Sequence, residues 1–163
     1  MKVGPALKRL HAAELDLAAD FRKLGERHAA DHDVYHQTRT FAKQCEQHAE
    51  RLRPIADRYG EELGDAGDGE GLWESVLEAV RRRSSEALGR RPESGLLLLR
   101  DLRELYLATQ ETLITWVIVR QGAMAARDGE LIALAKELQP ETDLQMKWAL
   151  THIKVSSPQV LMS

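Results

Sequence analysis

Cys45 and His48 are the two residues of this 163-residue chain whose types and spacing most clearly permit chemistry. They lie three positions apart in a stretch where apolar side chains recur every third or fourth position, as on the buried side of a helix in a bundle. A thiol and an imidazole at this spacing share one helix face, where both could bind a metal ion. The stripe comprises Val34, Thr38, Phe41, Cys45, His48, Leu52, Ile55 and Tyr59.

Glu14 is a third polar residue in an apolar stripe, this time in the preceding helix. A lone buried carboxylate needs a cation, a hydrogen-bond donor or a proton, because burying an unpaired charge is very costly. Glu14 lies as far before Asp31 in the turn as His48 lies after it, and Cys45 lies one helical turn nearer. Helices rise about 1.5 Å per residue, so an antiparallel pair would bring all three side chains to one height.

The composition predicts one all-α domain over residues 1–163. Proline is scarce, 30% of residues are charged, and long segments have helical periodicity. A Gly- and Asp-rich linker follows the second helix and suggests a long crossover connection. The predicted elements are helices at about 5–28, 31–59, 93–127 and 130–157, and a crossover at 60–91 that carries a short helix at about 72–88.

Turn and proline positions predict where these helices begin, bend and end. Asp31 or Asp33 can cap the second helix through a side-chain oxygen. Pro54 should kink that helix or loosen one turn, and Pro140 should kink the last helix or split it in two. Pro158 is expected to end the last helix.

Charge and hydropathy indicate which classes of partner to expect. The net charge of -3 argues against binding to nucleic acid, and the arginines at 81–83 and 90–91 are interpreted as a solvated face. No segment is apolar enough to span a bilayer, so no membrane partner is expected. With a single cysteine and no apolar leader region, the sequence predicts a cytoplasmic protein.

Two antiparallel helix hairpins joined by a long crossover resemble the ferritin-like superfamily, of the rubrerythrin and ferritin type. In di-iron members, the first and third helices each supply a Glu, and the second and fourth each supply Glu-x-x-His. The resemblance makes Glu14 the first-helix ligand. It places residues 45–48 (Cys-Glu-Gln-His) on the second-helix motif, with Cys45 where the family has Glu.

The second half of the resemblance is less complete. Glu111 or Glu104 could stand for the third-helix Glu. Glu141 matches the fourth-helix Glu, but Leu144 occupies the His position and Gln145 is the nearest polar substitute.

The resemblance therefore implies a degenerate site. It does not imply a ferroxidase, because di-iron chemistry needs bridging carboxylates between two hard cations. A single transition metal, zinc or iron, could be held by Glu14, Cys45 and His48, with water or Glu111 as the last ligand.

Three other interpretations stay open, and the sequence does not decide whether the protein is an enzyme. Glu14 and His48 could form a buried ion pair with Cys45 as an apolar filler. Cys45 could be redox-active, with its thiolate stabilised by His48. The bundle could instead be a structural module that forms a homodimer through a second apolar side of the third helix, at Leu107, Ile114, Val117 and Ile118.

Overall fold

The computed structural model describes residues 2–64 and 94–163, and these form four helices with no strand. They are α1 (Val3–Arg27), α2 (His32–Arg58), α3 (Ser94–Ala126) and α4 (Gly129–Leu161). The predicted all-α class and the four long helices are confirmed. The predicted crossover helix at about 72–88 lies outside the described residues.

The helix directions follow from contacts near the ends of the bundle. The end of α1 meets the start of α3, where Arg27 bonds to Asp101, so these two helices are antiparallel. The end of α2 meets the start of α4, where Arg58 bonds to Asp128, so this pair is antiparallel too. Helices α2 and α3 therefore run in the same direction, so the end of α2 and the start of α3 lie at opposite ends of the bundle.

A layer of polar side chains divides the bundle core into two apolar clusters. Leu10 and Leu17 belong to different clusters, and Glu14 lies between them on α1. On each of the other helices, buried polar residues likewise lie between residues of the two apolar clusters. We call the buried residues between the clusters the polar layer; they are Glu14, His48, Thr109, Thr112, Thr142 and Gln145.

The Asp31 cap agrees with the predicted turn chemistry, whereas Pro158 does not end the last helix as predicted. Asp31 caps α2, since its carboxylate accepts a hydrogen bond from the Val34 backbone N–H at 3.2 Å. The prediction that Pro158 ends the last helix is wrong, because α4 continues to Leu161. Pro140 also lies inside a single unsplit helix. A proline inside a helix removes one backbone hydrogen bond, and α4 continues past both of its prolines despite that loss.

Gly25 is a position where α1 and α2 come very close. A Cβ atom placed there would lie 2.2 Å from Thr38 Oγ1. That hydroxyl is fixed, because it donates to the Val34 carbonyl oxygen at 2.7 Å. The glycine that weakens α1 in isolation therefore permits the close approach of the two helices.

Asp101 joins the end of α1 to the start of α3. Its two carboxylate oxygens accept from Arg27 Nη1 at 2.8 and 2.9 Å, and one of them also accepts from His28 Nε2 at 2.8 Å. Burial acts to raise the pKa of Asp101, but the hydrogen bonds from His28 and Arg27 outweigh it and hold the pKa below its ordinary value.

We expect the Asp101→Asn variant to be less stable than the wild type by about 2 kcal/mol near neutral pH, because it removes a charged acceptor of buried hydrogen bonds. A depressed native pKa contributes stability above the unfolded value of 3.8, and that contribution is lost as pH falls through the native pKa. Urea unfolding at several pH values would measure the difference, which should shrink in acid. A pH-independent difference would contradict the assignment.

Candidate functional site

Glu14 occupies the centre of the polar layer and is fully buried. Its Oε1 accepts from the indole Nε1–H of Trp116 at 2.6 Å and contacts Nδ1 of His48 at 3.1 Å. Its Oε2 has no hydrogen-bond partner among the described residues. The contact with His48 confirms the prediction, made by counting from the hairpin turn, that these two side chains lie at one height.

His48 contacts carboxylates through both ring nitrogens. Its Nε2 lies 2.6 Å from Oε2 of Glu141, on the side of the ring opposite Glu14. Burial acts to lower the pKa of His48, but hydrogen bonds and charge from Glu14, and then from Glu141, outweigh it and raise the pKa. A carboxylate at each ring nitrogen favours the doubly protonated imidazolium form of His48, because only that form can donate to both.

Cys45 belongs to the apolar cluster beside the polar layer, one helical turn from His48, and is held as a thiol. Its Sγ donates to Oε1 of Gln145 at 3.6 Å, and the amide of Gln145 donates to Gln44 at 2.8 Å. Burial raises the pKa of the Cys45 thiol well above its ordinary value, and the negative charge of Glu14 raises it further. A fully buried thiol of this kind is a poor nucleophile, so the geometry does not favour the redox interpretation.

The structure brings four of the five predicted site residues together and leaves Glu111 out. Glu141 lies at the edge, with 38% of its side chain exposed. Glu111 instead points to solvent, with 67% of its side chain exposed, and pairs with Arg9 at 3.3 Å. The alternative, Glu104, is exposed as well. The α3 residue that contacts Glu14 is Trp116, because the helix turns its glutamates away from the core.

Trp116 is the functional residue that sequence reasoning missed. By sequence it resembles an ordinary core aromatic, although its indole is the hydrogen-bond donor to Glu14. The sequence does hold a signal, because Trp116 precedes Asp128 of the α3–α4 turn by nearly the same distance along the chain as Glu141 follows it. Counting from that turn places Trp116 and Glu141 at one height.

The side chains around Glu14 do not fit a pair of metal ions. In the α3 position there is an indole in place of a carboxylate, and Leu144 on α4 points outward. Four carboxylates that could bridge two cations are therefore lacking.

The donors fit a single ion better. Glu14 has a free buried oxygen, Cys45 lies beside it, and His48 and Glu141 complete the donor types. In the parts of the chain that the structure describes, no three His, Cys, Asp or Glu side chains are already arranged as a metal site. Both nitrogens of His48 are engaged by carboxylates, so a metal would have to replace one of these hydrogen bonds.

The fold and the site together define a class: a protein whose described residues form four helices, with a buried histidine held between the carboxylates of Glu14 and Glu141. Comparison of the chain with models of known protein families, with curated proteins and with solved structures gives no match. Within the described residues, none of the helices has the length and apolarity needed to cross a membrane.

We expect Trp116→Phe to lower the free energy of unfolding by about 1–3 kcal/mol, because it leaves a buried carboxylate oxygen with one donor fewer. Urea denaturation of Trp116→Phe, Glu14→Gln and the double variant would separate the hydrogen bond from the lost ring volume. The loss caused by Trp116→Phe should be smaller in the Glu14→Gln background. Strict additivity of the two single effects would show that the indole stabilises the protein by packing alone.

Proposed function

We propose that this chain is a ferritin-like protein that binds one divalent transition-metal ion in its polar layer and has no ferroxidase activity. The helix directions support the proposal. The two antiparallel hairpins are arranged so that α2 and α3 run in the same direction. Ferritin-like bundles, in which one long crossover joins the hairpins, have this arrangement. The position of the polar layer, midway between two apolar clusters, is where bundle proteins of this kind hold their metals.

The observation that carries the proposal is the free oxygen of Glu14. Oε2 is buried and has no hydrogen-bond partner among the described residues, although its companion oxygen has two. An unsatisfied buried carboxylate oxygen is costly, and a cation is the ligand that would compensate it most strongly. The neighbouring thiol and imidazole are donors that suit zinc and other borderline metals better than calcium or magnesium.

In the proposed complex, Glu14, Cys45 and His48 are the ligands, and Glu141 is the outermost one. Such an ion would supply Lewis acidity to a bound water or would act as a structural link between the hairpins. Trp116 holds one oxygen of Glu14 by its 2.6 Å hydrogen bond, and this would leave Oε2 available to coordinate an ion. The missing third-helix carboxylate is the reason for proposing one ion rather than two.

Titration of tag-free protein with Co²⁺ would test this proposal. We expect one ion to bind per chain and to produce an absorption band from thiolate-to-cobalt charge transfer. Cys45→Ser should remove that band while some binding remains. Glu14→Gln should weaken binding by at least about ten-fold, because it removes the charged ligand at the centre of the site.

Glu111→Gln is the matched control, since it changes a carboxylate of α3 that lies outside the polar layer. It should bind Co²⁺ like the wild type. Failure of the wild type to bind Co²⁺ or Zn²⁺ in a one-to-one ratio would refute the proposed function. Equal losses in Glu111→Gln and Glu14→Gln would place the ion elsewhere.

A second candidate function is supported by a separate surface. The outer side of α3 exposes large apolar residues, including Ile114, of which 60% is exposed, and Ile118. Arg9 and Glu111 flank this surface with opposite charges. A second copy of the chain related by a two-fold axis would meet it with matching apolar groups and could exchange the two charges. We therefore retain a homodimeric interaction module as the alternative.

The alternative predicts a dimer at micromolar concentration, measurable as molar mass by light scattering. Ile114→Glu should shift the protein toward the monomer, because it places a charge in the contact. Leu144→Glu changes an equally exposed apolar residue on α4 and should leave the mass unchanged. A monomeric wild type would rule out the dimer, whereas metal binding by that monomer would leave the first proposal intact.

A further inference from the structure

The contact between α2 and α4 differs from the other helix contacts of the bundle. Helix α1 packs closely against α2 and α3, and α3 packs closely against α4, whereas α2 and α4 approach each other at few positions. We call this contact the α2–α4 seam. Among the described residues, it is the least tightly packed of the four sides of the bundle.

Polar pairs cross the seam along most of its length, and one aromatic contact, between Phe41 and Trp148, lies next to the pair at one end. From one end to the other these pairs are Gln44–Gln145 at 2.8 Å, His48–Glu141 at 2.6 Å, Arg51–Glu137 at 2.6 and 2.8 Å, and Arg58–Asp128 at 3.1 Å. Helices joined by hydrogen bonds and ion pairs separate at lower cost than helices joined by apolar packing, because water can replace the lost partners.

The middle pair of the seam connects the surface to the centre of the polar layer. Glu141 is partly exposed, His48 is buried against it, and Glu14 lies behind His48. Cys45 is reached through the same side, since its thiol bonds to Gln145 of α4. Separation of α2 from α4 at this level would open a path to Cys45 and, behind His48, to Glu14.

We propose that the α2–α4 seam opens locally and is the route by which a divalent cation reaches Glu14, with the Arg51–Glu137 pair as the latch. This inference rests on the proposed metal site. Glu137 and Glu141 are carboxylates one helical turn apart on α4 at the mouth of the route, where they attract a cation. Arg51 neutralises Glu137 in the closed state through two hydrogen bonds.

The rate at which Cys45 is alkylated by iodoacetamide reports opening of the seam without any metal. Arg51→Gln removes the latch and should accelerate alkylation about two- to five-fold, the effect of losing one exposed ion pair. Arg9→Gln is the matched control, because it removes an exposed Arg–Glu pair between α1 and α3 and should leave the rate unchanged. Gly25→Ala should lower global stability at a position away from the seam. Its alkylation rate shows how much of the reaction of Cys45 follows from complete unfolding, and the rates of the other variants are corrected by that amount.

The kinetics of Co²⁺ binding give the second measurement. Arg51→Gln should raise the rates of uptake and release by similar factors, which leaves the affinity close to that of the wild type. The route is refuted if Arg51→Gln accelerates neither process, if Arg9→Gln accelerates both equally, or if the change follows global stability. Faster alkylation in Arg51→Gln combined with no Co²⁺ binding by the wild type would support seam opening and refute the proposed function.

Discussion

A buried carboxylate sets the main constraint on this bundle. Glu14 lies in the middle of α1, where solvent cannot reach it, and the free energy of burying its charge must be offset by fixed partners. Those partners come from three other helices: Trp116 on α3, His48 on α2, and Glu141 on α4 through His48. One charged group thus fixes the relative heights of all four helices.

We infer that the polar layer acts more on the specificity of the fold than on its stability. Apolar residues of similar volume could fill the same space at comparable stability, because buried ion groups seldom gain more than their desolvation costs. A slip of either hairpin by one turn would move Glu14 or His48 against an apolar cluster and leave a charge without a partner. We infer that the layer specifies a single alignment between the two hairpins, whether or not a metal is bound there.

The sequence predicted local features well and the relation between the hairpins poorly. Apolar spacing located the helices, and counting from one short turn paired Glu14 with His48 correctly. Counting residues could not relate the heights of the two hairpins. The connection at residues 60–91 is too long for its length to predict the height at which α3 begins. That is why Glu111 was predicted as a ligand and Trp116 was not. Pro158 misled the prediction too, because α4 continues for three residues beyond it.

The parallel course of α2 and α3 also shapes how the chain folds. Each hairpin is closed by a short turn, so its two helices can pair after a brief local search. Docking of the hairpins instead joins residues that are far apart in sequence, such as Glu14 and Trp116. Loop-closure entropy makes such contacts slower to form than those within a hairpin. The buried carboxylate is therefore completed by the late, long-range step, and a chain with only one hairpin formed would still expose Glu14 to water.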